Sequence, residues 1–210
     1  MKYKNPFKST LTALAAACAL LGASSAHAAV TYYVDVNTSS LIGNTSAPFA
    51  LDFQLIGSAS NSVTISNFNF GGGSATSSTE NYTGTASGDL NSTVSLNDTT
   101  TFFNEFFQGF TPGATLSFTV NVDTNIGSPT PDGFSFAILD SSLTNITTSG
   151  LGDSLLVVNV DGTSYGTMTS QTGSGTGAFS GVSITSVPEP SAALLGMMAC
   201  GAMFVRRRRA

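Results

Sequence analysis

The sequence predicts an all-β body, folded as a single antiparallel β-sandwich of jelly-roll type. Short segments of the body alternate apolar and polar residues with a period of two, which is typical of half-buried strands. Turn-forming residues separate these segments, and the body has no long helical pattern. Only the two ends depart from this pattern, because an N-terminal signal-peptide helix and a C-terminal membrane helix are predicted there.

The N-terminus has the features of a secretory signal peptide over residues 1–28. Three lysines before residue 9 form a basic region, and the stretch 10–22 is apolar and rich in Ala and Leu. An A-x-A cleavage site follows, so signal peptidase is expected to remove this segment and start the mature chain at residue 29. The cleavage-site residues are Ala26, Ala28 and Ala29.

Five segments of the body predict strands. The segment 115–122 alternates cleanly over eight positions, and the turn signal Thr-Pro-Gly-Ala at 111–114 leads into it. The other four segments are 49–55, 63–70, 134–138 and 155–160. The glycine-rich stretches at 71–73 and 172–177 predict loops.

The aromatic stretch 102–110, FFNEFFQGF, is ambiguous. Phe103, Phe106, Phe107 and Phe110 would share one face of a helix, whereas a strand would bury alternate aromatic residues. We expect an extended core segment or a single helical turn. An aromatic box that stacks on a ligand is the alternative interpretation.

The body from 29 to 187 is acidic and lacks basic residues altogether. It contains no Lys, Arg, His, Cys or Trp, and eleven of the twelve acidic residues lie in it, which makes its net charge −11. Ser-His-Asp and Cys-His catalytic arrangements, thiolate or imidazole zinc sites and Schiff-base lysines are therefore excluded. Nucleic-acid binding is not expected either, because no cation is present to neutralise phosphate.

The C-terminus combines a Pro-Glu-Pro motif, a short apolar run and a cluster of arginines. The uncharged run 191–205 would span about 22 Å as a helix, less than the ~30 Å core of a bilayer. The arginines beyond it are expected to stay in the cytoplasm while the body is exported. These topology-determining residues are Arg206, Arg207, Arg208 and Arg209. A plain membrane anchor would explain the run and the arginines but not the motif.

Together these elements resemble the PEP-CTERM sorting signal, whose parts are a V-P-E-P-small motif, a transmembrane stretch and an arginine-rich tail. The motif residues here are Val187, Pro188, Glu189 and Pro190. The resemblance implies processing by exosortase, a membrane-embedded cysteine transpeptidase, in a Gram-negative bacterium that makes exopolysaccharide. The stretch from about 100 to 140 also looks like a family of PEP-CTERM proteins with no assigned biochemical activity.

The predicted organisation is a signal peptide over 1–28, a β-sandwich domain over 29–163, a Gly/Ser/Thr-rich flexible spacer over 164–186 and a sorting signal over 187–210. The expected partners are signal peptidase, exosortase, the membrane and the exopolysaccharide. The expected location is the cell envelope, the cell surface or the extracellular matrix.

Three functions are compatible with this sequence. The first is a non-catalytic surface or matrix protein associated with exopolysaccharide or biofilm. The second is a carbohydrate-binding module, in which stacking on sugars would fall to tyrosines because the body has no Trp; the candidates are Tyr32, Tyr33, Tyr82 and Tyr165. The third is a glycoside hydrolase that uses carboxylates alone, with Glu80 and Glu105 as the only glutamates of the body.

No cofactor is required by the sequence, but calcium is a candidate ligand. Eleven carboxylates without internal counter-ions repel one another, and calcium prefers carboxylate, amide and backbone oxygens. The candidate metal ligands are Asp123, Asn125 and Asp132, in a loop-like stretch that matches no EF-hand pattern. The alternative is that these are ordinary turn residues.

Overall fold

Antiparallel strands form almost all of the regular structure in the described part of the chain. The computed structural model describes residues 28–58, 60–124, 132–146, 154–160, 169–170 and 182–188. The strands are β1 (Ala28–Asn37), β2 (Phe49–Ile56), β3 (Ser62–Asn69), β4 (Ser74–Thr83), β5 (Ser87–Gly88), β6 (Thr93–Asn97), β7 (Phe103–Thr111), β8 (Thr115–Thr124), β9 (Gly133–Leu139), β10 (Leu156–Asn159), β11 (Thr169–Ser170) and β12 (Val182–Pro188). A single 3-10 turn, Ser39–Leu41, follows β1. The predicted all-β fold is confirmed for these residues, whereas both predicted terminal helices lie outside them.

The strands form two six-stranded antiparallel sheets. Sheet A has the order β12-β1-β8-β3-β6-β5, and sheet B has the order β11-β10-β9-β2-β7-β4. Buried apolar residues from both sheets make one continuous core, so the sheets pack face to face. All described strands belong to one compact unit, Ala28–Ser191.

Phe53, in the middle of β2, lies at the centre of an aromatic cluster in this core. Its ring centroid is 5.2 Å from that of Phe136 in the same sheet and 5.5 Å from that of Phe118 in the opposite sheet. Three further rings lie within 6.5 Å of it: Phe68, Phe106 and Phe134. These edge and offset contacts join the two sheets through large phenyl side chains.

A β-bulge explains why the predicted strand 63–70 alternates imperfectly. Asn67 has a left-handed φ of 57°, and the pairing of β3 with β8 shifts by one residue between Ser66 and Asn69. Before the bulge Val63 and Ile65 are buried, and after it Phe68 and Phe70 pack against the core. The extra residue therefore changes the phase of the strand and keeps the apolar side chains on the inner face.

The aromatic stretch 102–110 forms strand β7, in agreement with the extended interpretation. Its buried inner face holds Phe106 and Phe110, but also the amides of Asn104 and Gln108, while Phe103 and Phe107 are half-buried on the other face. The Asn104 Oδ1 accepts a 2.9 Å bond from the backbone of Thr85, and the Gln108 Oε1 accepts a 2.8 Å bond from that of Leu90. The amides therefore satisfy buried backbone donors of the turns that cross the inner face.

Several strands were not predicted from the sequence. Strands β1, β4 and β6 have weaker signals, and β4 contains one aromatic residue among small and polar ones at the edge of sheet B. Strands β11 and β12 lie wholly or largely within the predicted spacer 164–186. Pairing with Val30–Val36 of β1 gives β12 a partner along its whole length, an interaction that composition does not reveal.

Candidate functional site

The first half of the predicted sorting motif lies in strand β12. Val187 is the register partner of Thr31, and Pro188 is the register partner of Val30. Strand β1, which begins at Ala28, thus places the predicted signal-peptide cleavage site beside the sorting motif, at the same end of sheet A.

The other residues predicted for processing lie outside the described residues: Ala26, Glu189, Pro190 and Arg206, Arg207, Arg208 and Arg209. Within the described ranges, no helix is long and apolar enough to cross a membrane.

The outer surface of sheet A is an array of hydroxyl and amide side chains, which we call the hydroxyl face. One row of register partners crosses β1, β8, β3 and β6 as Thr31, Asn121, Thr64 and Ser95. The next row is Tyr33, Thr119, Ser66 and Thr93. None of these eight side chains is buried. On the four strands only Asp35 and Asp123 add charge.

Hydrogen bonds link neighbouring strands across the hydroxyl face. The Nδ2 of Asn121 donates to the hydroxyl of Thr31 at 3.2 Å, and that of Asn67 donates to the hydroxyl of Thr119 at 3.3 Å. A shallow groove of about 310 Å³ runs beside Tyr33, whose side chain is 52 % exposed. The face therefore presents oriented hydroxyl and amide groups next to one accessible aromatic ring.

The four tyrosines predicted to stack on sugars do not form one site. Tyr32 is buried in the core, whereas Tyr33 projects from the hydroxyl face. Tyr82 packs against Phe106 with a centroid distance of 5.3 Å, and its hydroxyl lies within hydrogen-bond reach of both Glu80 and the Gly88 carbonyl. Tyr165 lies outside the described residues.

Of the three predicted calcium ligands, two are described. Asp123 is half-buried on β8 and Asp132 is buried just before β9, while Asn125 lies outside the described ranges. Asp132 instead approaches Asp98, because the Asn61 side chain donates to Asp98 Oδ2 at 2.9 Å and to Asp132 Oδ2 at 2.7 Å. The three buried side chains form an Asn61 cluster at one end of the sandwich.

The Asn61 cluster surrounds a glycine. A Cβ on Gly57 would lie 2.4 Å from Asp98 Oδ2 and 2.6 Å from Asp132 Cγ, so only glycine leaves room for both carboxylates. Sequence reasoning missed Asp98 and Asn61, which are separated by 37 positions and meet only through the pairing of β3 with β6. Among the described residues, no group of three or more His, Cys, Asp or Glu could hold a metal ion.

A second polar group lies on the outer face of sheet B. The Gln54 Nε2 on β2 donates to Asp52 Oδ2 at 2.8 Å and to Glu105 Oε1 on β7 at 3.0 Å. Asp52 is only 3 % exposed, and its Oδ1 has no hydrogen-bond partner among the described residues. Burial, reinforced by the Glu105 charge and partly offset by the Gln54 bond, raises the pKa of Asp52 to about 7.

The two glutamates of the body are on opposite faces of sheet B. Glu80 is the register partner of the inward-facing Gln108, whereas Glu105 pairs with Gln54 on the outer face. The structure therefore brings Glu105 together with Asp52 and not with Glu80. The alternation of 49–55 predicts a half-buried strand, and its apolar residues Phe49, Leu51, Phe53 and Leu55 are indeed buried. The alternation gives no sign that Asp52, on the other face, is buried as well.

Comparison with known proteins adds no relative. No protein-family model matches the chain, no curated protein matches it, and no solved structure matches it.

Proposed function

We propose that this protein is exported, is processed at its C-terminus by exosortase, and serves as a non-catalytic component of the cell surface or of the exopolysaccharide matrix. The observation that supports this most directly is the pairing of β1 with β12. The two strands that adjoin the predicted signals are neighbours, with Val30 opposite Pro188. The two positions at which the predicted signals adjoin the body therefore lie at the same end of sheet A, which suits export and sorting at one membrane.

The chemistry of the body also favours a role without catalysis. It has no nucleophile–base pair that uses His, Cys or Lys. Asp52, whose pKa is raised by burial, is only 3 % exposed and so is poorly placed to meet a substrate. The chain passes from one sheet to the other at most of its connections, which supports assigning the sandwich to the jelly-roll class.

Processing tests the sorting part of this proposal. Glu189→Ala should leave an unprocessed precursor in the membrane, because the proline-flanked carboxylate is the charged feature of the motif. Glu80→Ala, which removes the same charge from an exposed position on β4, is the matched control and should be processed normally. Equal processing of Glu189→Ala and wild type on a blot would exclude the sorting signal.

A reporter fused after Ala210 should remain cytoplasmic if Arg206, Arg207, Arg208 and Arg209 set the topology.

Carbohydrate binding is the second candidate, and the hydroxyl face favours it. Rows of hydroxyls and amides can exchange hydrogen bonds with a neutral polysaccharide, and Tyr33 offers a ring on which a sugar can stack. The few charges on this face suit a neutral rather than an anionic glycan, since the body has no cation to pair with one.

Retardation in gels that contain the cell's own exopolysaccharide tests this candidate. Tyr33→Ala should reduce the retardation, and Tyr82→Ala, which removes a ring of similar exposure elsewhere, should not. If the wild type migrates equally with and without the polysaccharide, the surface role does not involve direct binding. Release of reducing sugar in the same mixture, lost in Glu105→Gln, would instead favour the carboxylate-only glycoside hydrolase.

A further inference from the structure

The sorting motif is partly committed to the fold. Seven consecutive residues of β12 pair with β1, from Val182 opposite Val36 to Pro188 opposite Val30. The last two of these pairs involve Val187 and Pro188, the first two residues of the motif. Strand β12 is the edge of sheet A, so its only strand partner in the described sheet is β1.

This pairing competes with recognition by a processing enzyme. An enzyme that binds a peptide in extended form forms hydrogen bonds with its main chain and surrounds it with pockets. One edge of β12 is already paired with β1, and the folded sandwich lies beside it, so the peptide cannot enter a cleft while β12 remains in the sheet. A terminal edge strand can leave by local unfolding without loss of the core.

We propose that β12 is a strap that withholds the sorting motif, and that exosortase acts only on chains in which β12 has left β1 or has not yet docked on it. This inference rests on the proposed function, because it concerns access to the same motif. Opening would start at the motif end, since Pro188 has no N–H to donate to the ladder and proline is tolerated only at the margins of sheets. If processing precedes docking, docking of β12 would limit the time in which exosortase can act. If docked β12 opens reversibly, the fraction of molecules with β12 undocked would limit the rate of processing.

The cysteine-free body allows the strap to be locked covalently. Thr185 is the register partner of Tyr33, and Cα atoms of antiparallel partners are about 4.5–5.5 Å apart, within the range that a disulfide spans. The double variant Tyr33→Cys/Thr185→Cys should therefore close a staple between β1 and β12 after export, two residues before the motif. We expect its processing in cells to slow by about tenfold or more, and reductant to restore it.

A second staple provides the matched control. Tyr33→Cys/Thr119→Cys uses the same position on β1 but joins it to β8, so the body is crosslinked while β12 stays free. This variant and the single variant Thr185→Cys should be processed at the wild-type rate. Thiol labelling of the precursor, counted above the Cys200 thiol that every variant shares, reports whether each staple has formed.

The outcomes separate this inference from the proposed function. If the β1–β12 staple forms and processing still proceeds at the wild-type rate, the strap is overturned. The strap is also overturned if the Tyr33→Cys/Thr185→Cys thiols stay free although those of Tyr33→Cys/Thr119→Cys form their disulfide. Equal slowing by both staples would also overturn it, because the effect would then belong to the crosslinked body. Normal processing of Glu189→Ala would instead overturn the sorting signal itself, whatever the staples do.

Discussion

Replacing Asp52 by Asn should make the body more stable at neutral pH and should flatten the dependence of its stability on pH. Asp52 lies in the central strand of sheet B, almost fully buried, with its Oδ1 lacking a described hydrogen-bond partner. Its folded-state pKa of about 7 lies above the ordinary value of 3.8. The folded protein therefore binds this proton more tightly than the unfolded chain does.

The sign and size of the effect follow from linkage. Stability from this proton is fully present below pH 3.8 and is lost as the pH rises to and through about 7. A difference of about three pKa units at 1.36 kcal/mol per unit sets an upper bound near 4 kcal/mol for the loss. The amide introduced by Asp52→Asn carries no charge at any pH, so the variant should match wild type near pH 4 and exceed it by up to ~4 kcal/mol at pH 8.

Urea unfolding of residues 29–191 at several pH values between 4 and 8 measures this difference. Asp35→Asn is the matched control, because it removes the same charge from an exposed position on β1 and so reports the general repulsion among the carboxylates. The reasoning is refuted if the two variants change the free energy of unfolding equally at every pH. It is also refuted if Asp52→Asn destabilises the body at pH 8.

Three further predictions concern the core and the Asn61 cluster. Phe53→Ala should lower the free energy of unfolding in urea by about 3–5 kcal/mol. Phe102→Ala, which removes a ring that is 62 % exposed, should change it by no more than about 0.5 kcal/mol. Equal changes would contradict the central place of the aromatic cluster. Gly57→Ala should cost about 1–3 kcal/mol because its Cβ collides with both carboxylates, whereas Gly133→Ala, with no atom within 4 Å, should be tolerated. If calcium binds through the predicted loop, a hundredfold excess over Kd should raise the free energy of unfolding of the wild type by about 2.7 kcal/mol and leave that of Asp132→Asn unchanged. Superimposed melting curves with calcium and with chelator would exclude the site.

Local patterns were sufficient to predict the all-β class of the described residues and most of their core strands. Alternation in 115–122 gave both the strand and its buried face, because a period of two directly assigns side chains to the two faces of a sheet. The predictions for export and sorting likewise come from contiguous motifs at the two ends of the chain. They remain predictions, since most of those residues lie outside the described ranges.

Only the tertiary structure decided which strands lie side by side and what that does to their polar residues. The burial of Asp52 depends on β7 and β9, which flank β2. The approach of Asp98 to Asp132 requires that the end of β6 in sheet A lies close to the start of β9 in sheet B. The placement of Val187 beside Thr31 depends on the pairing of β12 with β1. Asn61, which links the two aspartates, is 37 positions from Asp98 and 71 from Asp132, and Val187 is 156 positions from Thr31. A single sequence contains no local signal for pairings at these distances. The residue types therefore determined what chemistry the body can have, whereas strand pairing determined which of its acids are buried and whether the first residues of the predicted sorting motif are paired.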